Sequence, residues 1–279
     1  MRICQIESKI RVSHPKGSHI VSKLQEHPFV TATRERAQPL LTAALNHLQS
    51  NTAREDEARS ENRARLNASA QYVESVYRRT VGLMATIQTL EDARRVIRVF
   101  PAELGRGTDG VSRNRWIDYH YGYFTISLAS LSDVGLLLAA TVLRTGLSPK
   151  HSSFDIVLSH DSVKGTGVAT ALRRLSKSVE LARRRRNVHV HRAEHADVAD
   201  LSPDGFLWRM KLITAVPPTT LGSVDRRLLQ AAWREATRTI VLRLDEELKQ
   251  AEDAISGVFN ALFPIFTRRH DILQRLKRQ

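Results

Sequence analysis

Arg186, Asn187 and His191 stand together in the run Arg186-Asn187-Val188-His189-Val190-His191, and their side-chain types suit one reaction. An imidazole exchanges protons near neutral pH, whereas a guanidinium keeps its charge and grips phosphate oxygens through two parallel hydrogen bonds. The amide of Asn187 can orient either partner. A proton carrier beside a permanent phosphate-binding cation is what cleavage of a phosphodiester needs.

The preceding residues must position this run. Val168, Ala171, Leu172, Leu175, Val179 and Ala182 recur at steps of three and four, which predicts one amphipathic helix. Gly165 and Gly167 bound its start. Arg183, Arg184, Arg185 and Arg186 crowd its last turn, where the helix dipole favours positive charge and a polyanion can be met. Beyond them, Val188 and Val190 alternate with His189 and His191. The pattern predicts an extended or loosely helical exit that anchors the valines and aims the imidazoles elsewhere.

An arginine, a polar residue and, after three more positions, a histidine resemble the signature of the HEPN superfamily, the higher eukaryote and prokaryote nucleotide-binding domains. Arg186, Asn187 and His191 fill its three places. The resemblance runs from about residue 113 to the C-terminus. It implies an all-α fold with a HEPN-like helical bundle in the C-terminal part. It also implies a metal-independent endoribonuclease without a cofactor, acting as a homodimer and associated with toxin-antitoxin or phage-defence systems, where an antitoxin or other regulatory protein is the expected partner.

Spacing alone carries little weight among eleven histidines and so many arginines. Arg115 with His120 and Arg184 with His189 share the same separation, but only the set at Arg186 has the asparagine as well. The competing reading is an arginine-rich, solvated helix end followed by ordinary loop histidines.

A net charge of +14 and a pI near 10.5 point to a polyanionic partner. Ribosomal RNA, tRNA, DNA and an acidic protein all satisfy that. Aromatic residues make up only 6% of the chain, so the composition predicts phosphate contact rather than base stacking. RNA is the expected partner, with Arg183, Arg184, Arg185, His189 and Arg192 as its contacts. The lone Cys4 excludes an internal disulfide and a cysteine-based zinc site, and it fits a reducing cytosol. No metal-binding signature stands out. Val134 to Leu143 is the strongest apolar run but about half the length of a spanning helix, so it reads as a buried core helix. A secretory signal is not apparent, and the expected location is cytoplasmic without membrane association.

Proline and glycine concentrate between Pro101 and Gly110, which suggests a mainly helical N-terminal region over 1–112 and a HEPN-like domain over 113–279. Ile6, Ile10 and Val12 could form a short strand. Leu40, Leu41, Ala44, Leu45 and Leu48 make one apolar helical face, and Leu66, Ala70, Val73, Tyr77, Met84 and Ile87 another. The charged stretch Thr52 to Arg65 between them reads as an ion-paired exposed helix or a mobile segment.

After the boundary, Trp116 to Leu143 has Ile117, Tyr121, Phe124, Leu128, Leu131, Val134, Leu138 and Val142 on one face, closed by Gly146 and Pro149. Asp118, His120 and Tyr123 are its polar positions, read mainly as surface or satisfied groups. Ser202-Pro203-Asp204 reads as a helix start, ended by Pro217-Pro218. Ser223 can cap a longer helix through Leu228, Leu229, Ala232, Trp233, Ala236, Ile240, Leu244 and Leu248. Phe259, Leu262, Phe263, Ile265 and Phe266 cluster around Pro264, as core or as a partner contact.

The resemblance further implies attack of a ribose 2′-hydroxyl on the adjacent phosphorus. His191 would serve as base or acid, Arg186 would stabilise the phosphate and Asn187 would orient one of them. One imidazole cannot take and give a proton at once, so two copies facing across a symmetric groove would complete the site. The alternative is a non-catalytic helical subunit that binds RNA or a nucleotide, or a scaffold.

Overall fold

The computed structural model describes residues 23–50, 68–100, 113–148, 150, 152–192 and 223–276, and among these it is all-helical. A short 3-10 turn, Lys23–Glu26, leads into α1, Pro28–Ser50. Then follow α2, Ala68–Arg98; α3, Arg113–Leu143; α4, Phe154–Ser159; α5, Gly167–Ser178; α6, Glu180–Arg192; and α7, Ser223–Leu276. No strand occurs among the described residues. The strand expected near Ile6 to Val12, the charged stretch 52–65 and the helix expected from Ser202 to Pro218 lie outside them.

The α3 helix forms the centre of the bundle, because its apolar residues go almost all the way round. Ile117, Tyr121, Phe124, Leu128, Leu131, Leu138 and Val142 are buried, and so are Ala129, Leu136, Ala139 and Ala140 on other sides. A helix that is apolar on every side needs neighbours on every side, and α2, α5, α6 and α7 supply them. By length and composition Arg115–Leu143 could cross a membrane, yet most of that stretch is covered by the other helices. Gly135 permits the closest approach: a Cβ there would stand 2.6 Å from Leu175 Cδ2 on α5.

A single hydrophobic core joins the two sides of the 101–110 stretch, running from Leu24 and Phe29 to Phe266. Phe29 stacks on Phe259 at 5.1 Å and meets Phe266 edge-on at 5.7 Å. The Tyr72 hydroxyl donates to the Val142 carbonyl oxygen at 3.0 Å, so α2 is pinned to the end of α3. Phe259, Leu262 and Phe266 are therefore core residues, with Phe263 and Ile265 packed beside them, and α7 continues as one 54-residue helix through Pro264.

The apolar faces of two helices differ from expectation. On α1 the buried residues are Phe29, Val30, Thr33 and Ala37, while Leu41 and Leu45 are exposed because α1 projects past the helices that cover its start. On α7 Leu228 is exposed, and Trp233 is the first buried residue among those whose side chains are described. Periodicity finds a stripe but not the point where its neighbours end.

Candidate functional site

The stretch expected as one helix is two. Ser178 turns its Oγ onto the Leu175 carbonyl oxygen at 2.8 Å, a local bond that competes with the helical ladder. Val179 then leaves helical geometry, at φ −107° and ψ 6°, and is fully buried. The chain resumes as α6, with Arg183 N bonded to Val179 O at 3.0 Å. Gly165, at φ +74°, makes the turn before α5, and Thr166 precedes the first helical residue, Gly167.

The run 186–191 is not extended. The backbone is α-helical through Arg192, so the two-residue alternation of valine and histidine does not separate them to opposite sides. Helical geometry instead places positions 187 and 191 one turn apart on one face, while 186 lies about 140° round the axis from 191. The guanidinium of Arg186 is half-buried, and its Nε and Nη2 both donate to Oδ1 of the exposed Asn187, at 3.4 and 3.3 Å. The side chains of His189, His191 and Arg192 lie outside what the structure describes.

The three preceding arginines are engaged within the chain. Arg185 points inward, 12% exposed, and donates to Glu247 of α7 at 2.9 Å. It departs from the expectation of a cation free to meet RNA, because the α7 carboxylate and the α3 core draw its stem off the surface. Arg183 donates to Ser176 Oγ at 3.2 Å and lies 3.6 Å from Asp133. Arg184 is well exposed and pairs with Glu180 one turn earlier. Of the four clustered arginines, Arg186 has no carboxylate partner among the described residues.

Below Arg185 the charges form a layer. Glu247 also accepts from Arg243 Nε at 3.3 Å, and Asp245 accepts from Arg94 and, at 3.2 Å, from Arg98. Burial pushes the Tyr121 hydroxyl up to about 12. His120, between Trp116 at 4.4 Å and Tyr119 at 5.2 Å, has a buried Nε2 without a hydrogen-bond partner, and burial lowers its pKa. It is thus neither an open surface group nor a satisfied one, which α3 periodicity alone did not reveal. Tyr123 is exposed, as expected.

Sequence reasoning also missed a cavity of about 450 Å³ between the end of α2, the start of α3 and α7. Phe100, Trp116 and Trp233 line it together with Arg98, Arg234 and Arg238. A composition poor in aromatics hides their clustering. The signal available was that two of only three tryptophans, Trp116 and Trp233, stand near the starts of the two longest apolar stretches of the C-terminal half.

Residues 103–209 match the family model HEPN_Cthe2314-like HEPN, a segment shorter than half of the chain. No curated protein and no solved structure matches. The segment contains α3 through α6 and hence the whole Arg186 to His191 motif, and the fold is the helical bundle that such a domain requires. A HEPN domain suggests nucleotide-binding or RNase-type function in general terms. Residues 103–209 are therefore a HEPN-like segment, and the match supports membership of the HEPN superfamily.

Proposed function

We propose that this protein is a metal-independent endoribonuclease. Arg186, Asn187 and His191 carry the reaction, and it works as a cytoplasmic toxin or defence effector under the control of an antitoxin-like partner. The observation that carries the reading is that Arg186, alone in its cluster and on a helix inside the HEPN-like segment whose position 191 is a histidine, has no carboxylate partner among the described residues. Asn187 Oδ1 holds that guanidinium fork at the surface, where a phosphate can replace the amide as acceptor.

In the reaction, the 2′-oxygen of a ribose bonds to the adjacent phosphorus as its proton passes to a base, and the bond from phosphorus to the 5′-oxygen breaks as that oxygen receives a proton. The products are a 2′,3′-cyclic phosphate and a 5′-hydroxyl. His191 is the proton carrier, and Arg186 balances the charge that grows on the phosphate oxygens. Because positions 186 and 191 diverge on their helix, the arginine of one protomer and the histidine of another converge more readily than the pair within one chain. This favours a homodimer with a shared groove.

The test is incubation of total RNA in EDTA with wild type, Arg186→Ala and His191→Ala protein, followed by analysis of the product ends. Cyclic-phosphate termini from wild type only are expected. Equal cleavage by all three, or none by wild type, rejects the assignment and leaves a helical subunit that binds RNA without cutting it.

A further inference from the structure

The cavity between α2, α3 and α7 combines three features that the motif helix does not. Its walls are aromatic: Trp116 and Phe100 meet edge-on at 6.2 Å, and Trp233 faces them from α7. Its size, about 450 Å³, lies in the range of small-ligand sites. Its rim is cationic and available. The arginines facing α2 and α6 are paired: Arg94 and Arg98 with Asp245, Arg185 and Arg243 with Glu247. Arg234 and Arg238, one helical turn apart on α7, are exposed and have no ion-pair partner among the described residues.

We infer that this cavity binds one nucleotide unit, with its base against Trp116, Phe100 and Trp233 and its phosphate on Arg234 and Arg238. A flat π-system bearing a dianionic or monoanionic phosphate is the ligand that satisfies both wall and rim. Stacking on aromatic side chains tolerates every base, and two guanidiniums one turn apart can share a phosphate. Acidic peptides would use the rim and leave the aromatic wall empty.

The cavity is also connected to the motif helix. Arg98 lines it and pairs with Asp245; two residues further along α7, Glu247 holds Arg185 directly before Arg186. Ile117 of the cavity wall lies one α3 turn before the buried Tyr121. The inference deepens the ribonuclease reading and rests on it for RNA as the source of the nucleotide.

The full chain carrying His191→Ala, so that RNA is not consumed, and Trp208→Phe, so that Trp116 and Trp233 remain as fluorophores, is titrated with a single-stranded RNA octamer and separately with adenosine monophosphate. Saturable quenching of tryptophan fluorescence is expected. Adding Arg234→Ala and Arg238→Ala should weaken binding roughly tenfold and flatten the slope of log K against log salt by about 0.7, for the one phosphate that the two arginines share. Thermal melts check folding, and the single variants Arg234→Gln and Arg238→Gln serve if the double variant melts early. Quenching by the mononucleotide supports a free-nucleotide site, and quenching by the octamer alone supports a strand site. Quenching by neither, or quenching that ignores the arginine changes, overturns the inference. Cleavage by wild type without quenching removes the cavity site alone, and quenching without cleavage removes the nuclease reading alone.

Discussion

Arg185 donates to Glu247 at 2.9 Å, joining the motif helix α6 to α7 through two side chains that are 12% and 17% exposed. The next residue, Arg186, bonds only to its neighbour Asn187 among the described residues. Adjacent arginines thus have separate duties: one fastens the helix, the other faces outward.

Replacing them should separate those duties. Arg185→Ala leaves the largely desolvated Glu247 carboxylate with Arg243 as its remaining partner among the described residues and is expected to cost roughly 1–2 kcal/mol, less than a fully buried pair because some solvent and a second arginine reach it. Arg184→Ala breaks an exposed pair within one helix and should change stability by less than about 0.5 kcal/mol. Urea denaturation of both variants makes the comparison. Equal losses would mean that the Arg185 pair is no more structural than the surface one.

Gly135 is expected to resist enlargement. Gly135→Ala brings a methyl to 2.6 Å from Leu175 Cδ2 and should destabilise by about 1–2 kcal/mol, since the leucine tip can move only partly within the packed α3 and α5 contact. Leu175→Ala creates a cavity of its own, yet the double variant should be more stable than the sum of the two losses predicts. A double-mutant cycle with additive terms would show that the close approach carries no strain.

Acid should weaken the bundle through its histidines. Burial lowers the pKa of His120, and of His27 despite the latter's bond to Asn260 at 3.2 Å. An unfolded chain therefore binds more protons than the native one as pH falls below the ordinary histidine value of 6.5 toward the lowered native values. Stability present above 6.5 is lost across that window. His120→Phe should remove part of the decline in Tm between about pH 7.5 and about pH 5, with His27 accounting for the remainder. An unchanged pH profile would assign the decline elsewhere.

Glu91 works in the opposite direction. It is 7% exposed, and burial together with the nearby Glu252 raises its pKa, against the opposing pull of Arg94 and Arg95. Stability then falls as pH rises from the ordinary glutamate range through the raised native value. Glu91→Gln should therefore raise Tm at neutral pH and flatten that limb of the profile. A lower Tm would mean that the charged carboxylate is needed where it lies.

Helical periodicity made the bundle legible, because the apolar steps of α3, α5 and the middle of α7 coincide with their buried residues. Periodicity failed where tertiary neighbours decide. Leu41, Leu45 and Leu228 continue a regular stripe past the last helix able to cover it, and Val179 sits in phase with its stripe but out of helical geometry. At the site, residue types singled out Arg186, Asn187 and His191 as candidates, and the match over residues 103–209 spans all three positions. The inward turn of Arg185 was illegible, since its carboxylate arrives from α7, far away in sequence. The cavity was illegible for the same reason: its aromatics and arginines come from three helices, two of them outside the matched segment.

The central place of α3 bears on how this architecture can be taken apart. Two of the helices that cover it, α2 and α7, come from outside residues 103–209. A fragment cut to those limits would carry its greasiest helix naked on two flanks, and it should aggregate on expression rather than stand as a portable module. The matched segment and the helices on either side of it share one continuous core, so each is left incomplete without the other.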